Sequence, residues 1–241
     1  MRGFVDIHTH ILPGVDDGAK TVQDAMALLR LAWEHGTRVL VLTPHYRGRF
    51  KKNSHALLQE RFMELKAQVD VDLPGLDLYL GQEIYYEVDA PGDLTAGKLL
   101  RLNNSAYVLL EFRPNTPRNQ IIHGINEVTL SGFVPIIAHA ERYAAFREDA
   151  GLADEVLEMG ALIQLNADSV LGKHGFSVRR CCHRLLKHKK VHFIASDAHD
   201  TTHRTPVLRA CFLEIHKKYG QAYAAKLFEE NPLAVINNTA I

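Results

Sequence analysis

Cysteine is scarce, with three residues in 241 and two of them adjacent, Cys181 and Cys182. That number builds neither a disulfide framework nor a zinc-finger spacing. It also builds no cysteine-phosphatase loop, which needs Cys and Arg six positions apart. Six positions beyond Cys181, Cys182 and Cys211 stand Lys187, His188 and Lys217. Cys211 falls in an apolar helical stripe and is expected to be a buried thiol. No apolar run approaches the roughly 20 residues of a membrane span, so no membrane insertion is expected. The opening residues lack the charged-then-apolar pattern of a leader. A surplus of charge is missing too, since 28 basic and 28 acidic residues give a net charge of +0. A dedicated nucleic-acid binder carries a basic excess, so nucleic acid is not an expected partner. No linker, repeat or low-complexity stretch divides the chain. It reads as one domain over residues 1–241, cytoplasmic by these signs, with room left for an oligomer.

Histidine, by contrast, is abundant at 14 residues, and the question is which ones are placed. Phe4 to Ile7 reads as a short buried strand with His8 and His10 at its end. Alternate strand side chains share a face, so both imidazoles aim at one point. Two neutral imidazoles converging in this way suit a divalent metal. Pro13, Gly14 and Gly18 mark an irregular loop that offers Asp16 and Asp17 as oxygen ligands.

The rest of the chain repeats one unit. Helical spacing runs from Thr21 to His35, with Thr21 and Asp24 set as a capping box and Gly36 at the stop. A strand over Val39 to Thr43 ends at Pro44-His45. A basic loop follows with Arg47, Arg49, Lys51 and Lys52, which can guide an anionic peptide but reads first as a solvated loop. After the amphipathic helix Ser54 to Val69 come strands Leu76 to Leu80, Tyr107 to Leu110, Val134 to Ala138, Leu162 to Leu165 and Val191 to Ala195. Helices separate these strands, and Asn231-Pro232 reads as a helix break near the C-terminus. His183, His188, His192 and His216 lie on or beside helices and are expected at the surface. Seven strand-then-helix units with continuous apolar strands indicate a parallel sheet covered by helices. A closed α/β barrel is expected over an open sheet, because polar residues gather after strands one to five and seven. In a barrel those strand ends share one rim.

The candidates on that rim are His8, His10, Asp17, His45, Glu83, Glu111, His139, Asp197 and His199. A single metal with three ligands would leave several of these buried and unpaired, which is costly. Two or three divalent ions satisfy them all. Mixed nitrogen and oxygen donors without thiolate suit manganese, iron or zinc.

These segments resemble the polymerase and histidinol phosphatase (PHP) superfamily. More closely, they are similar to the manganese-dependent protein-tyrosine phosphatases found with bacterial capsule and exopolysaccharide genes. The resemblance rests on DIHTHILPGVDDG (Asp6 to Gly18), TPHY (Thr43 to Tyr46), GQEIYY (Gly81 to Tyr86), LLEF (Leu109 to Phe112), PIIAHAERY (Pro135 to Tyr143) and IASDAH (Ile194 to His199). It implies a distorted (β/α)7 barrel and a trinuclear centre, Mn²⁺ first, held by the nine residues above. Asp197 and His199 would also be catalytic, and Arg142 and Arg204 would match the family's phosphate-binding arginines. For Arg142 the competing expectation is a surface salt bridge. The implied substrate is a phosphotyrosine protein, a capsule-pathway tyrosine autokinase with a tyrosine-rich tail. Three alternatives compete. One is a PHP phosphohydrolase of a small monoester such as histidinol phosphate. A second is a non-catalytic PHP scaffold. The third is an amidohydrolase, although the bridging lysine common there is absent beside Glu83 and Glu111.

Overall fold

The computed structural model describes residues 3–48, 50 and 53–241. Its first strand, β1 (Phe4–Thr9), is buried along its whole length. Helix α1 (Val22–Glu34) follows, and its N-terminus carries the expected reciprocal cap. The Asp24 N–H donates to Thr21 Oγ1 and the Thr21 N–H donates to Asp24 Oδ2. These bonds satisfy two of the donors that a helix start leaves open. At its other end Gly36 takes φ +97°, a conformation that a side chain would strain.

Two of the expected strands are each split by a kink. The second is β2 (Thr37–Leu42) plus β3 (His45–Tyr46), divided at Pro44, which has no N–H to give the ladder. After helix α2 (His55–Asp72), the third is β4 (Asp77–Leu80) plus β5 (Glu83–Tyr85). It is divided at Gly81, where a Cβ would lie 2.8 Å from Leu102. Hydrogen bonds from Gly81 N–H to Leu42 and from Glu83 N–H to Pro44 carry the ladder across both kinks. The remaining strands are β6 (Tyr107–Glu111), β7 (Val134–Ile137), β8 (Leu162–Asn166) and β9 (Phe193–Ala195). All pairings are parallel, in the order β1-β2-β4 and β3-β5-β6-β7-β8-β9. A parallel bridge between Thr9 and Ala198 joins the last strand to the first. The chain is thus a ring of seven strand units, the distorted (β/α)7 barrel that the sequence pattern and the resemblance lead one to expect.

The core has three parts. Val5, Ile7, Val41, Leu109, Ile136 and Phe193 fill the barrel interior with Val235 and Ile236 from the C-terminal helix. Met26, Leu29, Leu58 and Phe62 of α1 and α2 cover β2 and β4 from outside, and the other helices cover β5 to β9. Between Asp6 and Thr9 the register of β1 against β2 slips. Such a bulge re-aims side chains. Ile7 lies in the interior cluster, and its neighbour His8 still reaches across to Gln164.

Near the C-terminus the expected break at Asn231-Pro232 is not seen. A π-helical turn over Lys226–Glu230 runs straight into the helix Asn231–Ile236, with Pro232 in its first turn. Proline is tolerated there because the π turn before it, where the Asn231 N–H bonds the Lys226 carbonyl, locally breaks the ordinary i→i−4 ladder. No helix among the described residues is long and apolar enough to cross a membrane.

Candidate metal centre

The strand C-termini bring together all nine rim candidates. Their donor atoms form four overlapping groups, each within 4.8 Å: His8 with His10 and Asp197; His8 with Glu83 and His139; His45 with Glu83 and Glu111; and His10 with Asp17, His45 and His199. The barrel explains the convergence. β1 supplies His8 and the turn after it His10 and Asp17, β3 supplies His45, β5 Glu83 and β6 Glu111. His139 and Asp197 follow β7 and β9, in left-handed backbone at φ +33° and φ +55°. For non-glycine residues that conformation is uncommon and stores strain, as functional sites often do.

The separations resemble a coordination shell. His8 Nε2 and His10 Nε2 are 3.2 Å apart. Asp197 Oδ1 lies 3.5 Å and 3.4 Å from them. Glu83 Oε1 lies 3.2 Å from His8 Nε2 and 2.9 Å from His139 Nε2. Asp17 Oδ1 lies 3.2 Å from His45 Nε2 and 3.4 Å from His199 Nε2. Two ligands each about 2.1 Å from a shared ion stand roughly 3.4 Å apart in tetrahedral geometry.

Several polar atoms here lack hydrogen-bond partners. His199 Nε2 has none, and His45 Nδ1 and Glu83 Oε2 make none although they lie 2.6 Å apart. Meanwhile outer nitrogens are engaged. His199 Nδ1 lies 2.9 Å from the Asp197 carbonyl, His10 Nδ1 lies 2.7 Å from Asp16, and His8 Nδ1 lies 3.1 Å from Gln164 Oε1. Holding one ring nitrogen so that the other carries its lone pair inward is how metal-binding histidines are prepared. The donor set therefore fits divalent cations.

The buried charges perturb one another. Burial opposes a charged His8, but Glu83 and Asp197 outweigh it and push its pKa up to about 9. His45 is likewise pushed up to about 10 against burial, by Glu83 and Asp17. His139 and His199 go down to about 4, mainly through burial. Burial and the neighbouring Glu83 raise Glu111 to about 7.

The two arginines flank Asp197. Arg142 NH1 is 2.9 Å from its Oδ2 and Arg204 NH2 is 2.5 Å from its Oδ1. Arg142 is an ion-pair residue, as one expectation held, but its partner is a site carboxylate rather than a surface acid. Arg47 corrects the reading of its loop as solvated. It donates to both Glu111 oxygens at 2.9 and 3.2 Å and lies 3.6 Å from Asp17. It sits one residue past β3, which carries His45 to the rim. Arg49, Lys51 and Lys52 lie outside the described residues. Asp16, offered by its loop as an oxygen ligand, instead pairs with His10 and accepts the His45 N–H at 3.1 Å.

The strand expected over Leu162 to Leu165, β8 in the structure, also brings residues to the site. Gln164 and Asn166 are both buried and reach into the centre from β8. Their signal was available, since they alternate with Ile163 and Leu165 as His8 and His10 alternate around Thr9. Two clefts open beside the centre. One of about 360 Å³ is bordered by Asp17, Lys20 and His199, and one of about 370 Å³ by Tyr85, Tyr86, Phe112 and Arg113. A larger cleft of about 650 Å³ lies at the opposite end of the barrel against the C-terminal residues. None of the four donor groups lies there.

Comparison with known proteins gives one consistent picture. The family model described as "Capsular polysaccharide synthesis, CpsB/CapC" matches residues 4–237. Tyrosine-protein phosphatase CpsB of Streptococcus pneumoniae is 32% identical over 243 residues, covering 99% of this chain and 100% of that protein. Tyrosine-protein phosphatase YwqE of Bacillus subtilis is 34% identical over 240 residues, covering 98% and 93%. Among solved structures, the crystal structures described as YwqE from Bacillus subtilis and CpsB from Streptococcus pneumoniae, unique metal-dependent tyrosine phosphatases, match with a TM-score of 0.92. The identity there is 31%, over 98% of this chain and 96% of that one. An organophosphorus hydrolase variant from Deinococcus radiodurans, at 14% identity, 98% and 93% coverage and a TM-score of 0.60, shares the fold alone.

Proposed function

The chain belongs to the CpsB/CapC family, and on that premise we propose that it is a metal-dependent protein-tyrosine phosphatase. The observation that carries the reading is the set of four overlapping donor groups at the strand ends, with no thiol among them. Its cations would be two or three divalent ions, Mn²⁺ first, held by His8, His10, Asp17, His45, Glu83, Glu111, His139, Asp197 and His199. Such ions, when bound, supply positive charge against phosphoryl oxygens and acidify water toward neutrality.

The remaining chemistry falls to side chains. Arg142 and Arg204 hold Asp197 from two sides and keep further N–H donors for non-bridging phosphate oxygens. A guanidinium matches two such oxygens at once. Asp197 and His199, with Oδ1 and Nδ1 3.7 Å apart at the rim, would stand beside the reacting phosphate. The leaving group is a phenolate of pKa about 10, which needs only modest protonation help. The clefts beside the centre, one with aromatic walls, give a peptide-borne tyrosine room to approach. The substrate we favour is a cytoplasmic phosphotyrosine protein, the tyrosine-rich tail of a capsule-pathway autokinase.

The cysteines support this reading by their position. All three are buried; the Cys181 thiol is pushed up to about 11, and Cys182 and Cys211 are also raised, chiefly by burial. None can serve as a thiolate nucleophile. The test is phosphotyrosine-peptide hydrolysis alongside metal analysis. Chelation should abolish turnover and added Mn²⁺ should restore it, whereas thiol alkylation of the native protein should change little. Full turnover by the metal-free protein would overturn the proposal.

A further inference from the structure

Strand β8 contributes no member of the four donor groups, yet two of its side chains tie opposite walls of the centre together. Gln164 is fully buried and Asn166 nearly so. Gln164 Oε1 accepts the His139 N–H at 2.9 Å and faces His8 Nδ1 at 3.1 Å. Its Nε2 donates to Asn166 Oδ1 at 2.8 Å, and Asn166 Nδ2 donates to Asp197 Oδ2 at 2.7 Å.

The direction of this chain of bonds is forced. A backbone N–H can only donate, so the Gln164 atom facing His139 must be its oxygen. The same oxygen faces His8 Nδ1, which must therefore carry the proton. The nitrogen that can offer a lone pair to a cation is then Nε2, which is turned toward His10 and Glu83. At the other end Asp197 Oδ2 is taken by Asn166 and Arg142, so the oxygen that faces His8 and His10 is Oδ1, which Arg204 also holds. We propose that Gln164 and Asn166 form a positioning relay that sets which nitrogen of His8 and which oxygen of Asp197 meet a cation. The His139 amide, held in left-handed backbone, anchors the relay. The inference rests on the metal reading above and goes beyond it, since neither amide is a ligand.

The test measures Mn²⁺ affinity by calorimetric titration of the metal-free full chain, with far-UV circular dichroism as a fold check. The variants are Gln164→Met, Asn166→Leu, their double, and the near-isosteric Asn166→Asp. The isostere replaces the donor with an acceptor against Asp197 at almost unchanged volume, so it serves if the larger changes perturb folding. Each single change should weaken binding at one site by about 10–100-fold, the usual scale for partners of metal ligands. Asn166→Asp should do so with an unchanged dichroism spectrum. The double variant should be no weaker than the worse single, because a broken relay cannot be broken again. Affinities within twofold of wild type, or losses that simply add in the double, would overturn the relay. Absence of Mn²⁺ binding by the wild-type chain would instead overturn the metal reading itself.

Discussion

Replacing Arg142 separates substrate binding from metal assembly. In the structure its NH1 shares Asp197 Oδ2 with Asn166, while Arg204 holds Oδ1. Arg142→Ala therefore leaves Asp197 with two of its three partners. The folding cost should be about 1 kcal/mol, well below the roughly 3–5 kcal/mol of orphaning a buried charge. Metal content should hold for two reasons. The Arg142 side chain is 26% exposed, so water can replace its N–H. Its removal also takes a positive charge away from the cation position. Asn166 differs on both counts, being buried and neutral.

Hydrolysis should suffer far more. A guanidinium with one N–H on Asp197 still offers a two-pronged edge to phosphate. Losing a donor of this kind lowers kcat/KM by roughly 10²–10³-fold, or about 3–4 kcal/mol of transition-state stabilisation. Arg142→Lys should recover only part, since an ammonium cannot hold Asp197 and also make the fork. His139→Ala should lose metal and activity together, because it removes a donor shared with His8 and Glu83. The assay is elemental analysis of each purified variant beside steady-state kinetics on a phosphotyrosine peptide. Wild-type kcat/KM in Arg142→Ala would refute the clamp. Metal loss matching that of His139→Ala would show that Arg142 acts by holding Asp197 instead.

Two further outcomes concern stability. His192 is half-buried, accepts the Ile163 N–H at Nδ1 and is lowered from the ordinary 6.5 to about 4 by burial. The unfolded chain takes up that proton first, so this contribution is complete above pH about 6.5 and is lost as pH falls toward about 4. Its ceiling is about 3 kcal/mol, and less in practice because the ring is partly exposed. His192→Asn keeps an acceptor but cannot take up the proton, so in urea unfolding wild type should lose stability relative to the variant as pH falls through that window; parallel curves would contradict the assignment. Tyr143 is fully buried and its hydroxyl accepts the Phe112 N–H at 3.0 Å. Tyr143→Phe should cost about 1–3 kcal/mol in the same assay by stranding that amide, and a loss under about 0.5 kcal/mol would mean the amide had found another acceptor.

The barrel and its rim were legible because each rests on a local pattern. Apolar runs such as Val134 to Ala138 alternate with capped helices, and titratable residues stand where the runs stop. What escaped had other causes. Gln164 and Asn166 carry no charge, so a search for metal donors passed over them although their spacing matched that of His8 and His10. Arg47 looked like one of four loop cations, and only the two-residue strand His45–Tyr46 places it on Glu111. The surface reading of His192 failed because a position beside a helix says nothing about what covers it. The continuous helix through Pro232 was not legible because sequence shows the absent N–H but not the π turn over Lys226–Glu230 that precedes it.

The seam between the first and last strands ties the site to the fold. The ring closes there through one bridge, Thr9 with Ala198, and through hydrogen bonds from Asp197 N–H to His8 and from His10 N–H to Ala198. Four of the nine rim candidates, His8, His10, Asp197 and His199, stand on these same turns. β9 is only three residues long, so the backbone offers the seam few bonds of its own. The side chains crossing it turn potential donor atoms toward one another, with His8 Nε2 and His10 Nε2 3.2 Å apart and Asp197 Oδ1 3.5 and 3.4 Å from them. A cation shared by His8, His10 and Asp197 would join the two ends of the barrel where the ladder is thinnest. Because the unfolded chain does not hold these groups together, such binding would stabilise the closed ring by mass action. The strain at Asp197 then has a physical counterpart. The left-handed turn that is costly to the backbone aims its N–H at His8 and its carboxylate at the imidazoles of both strands.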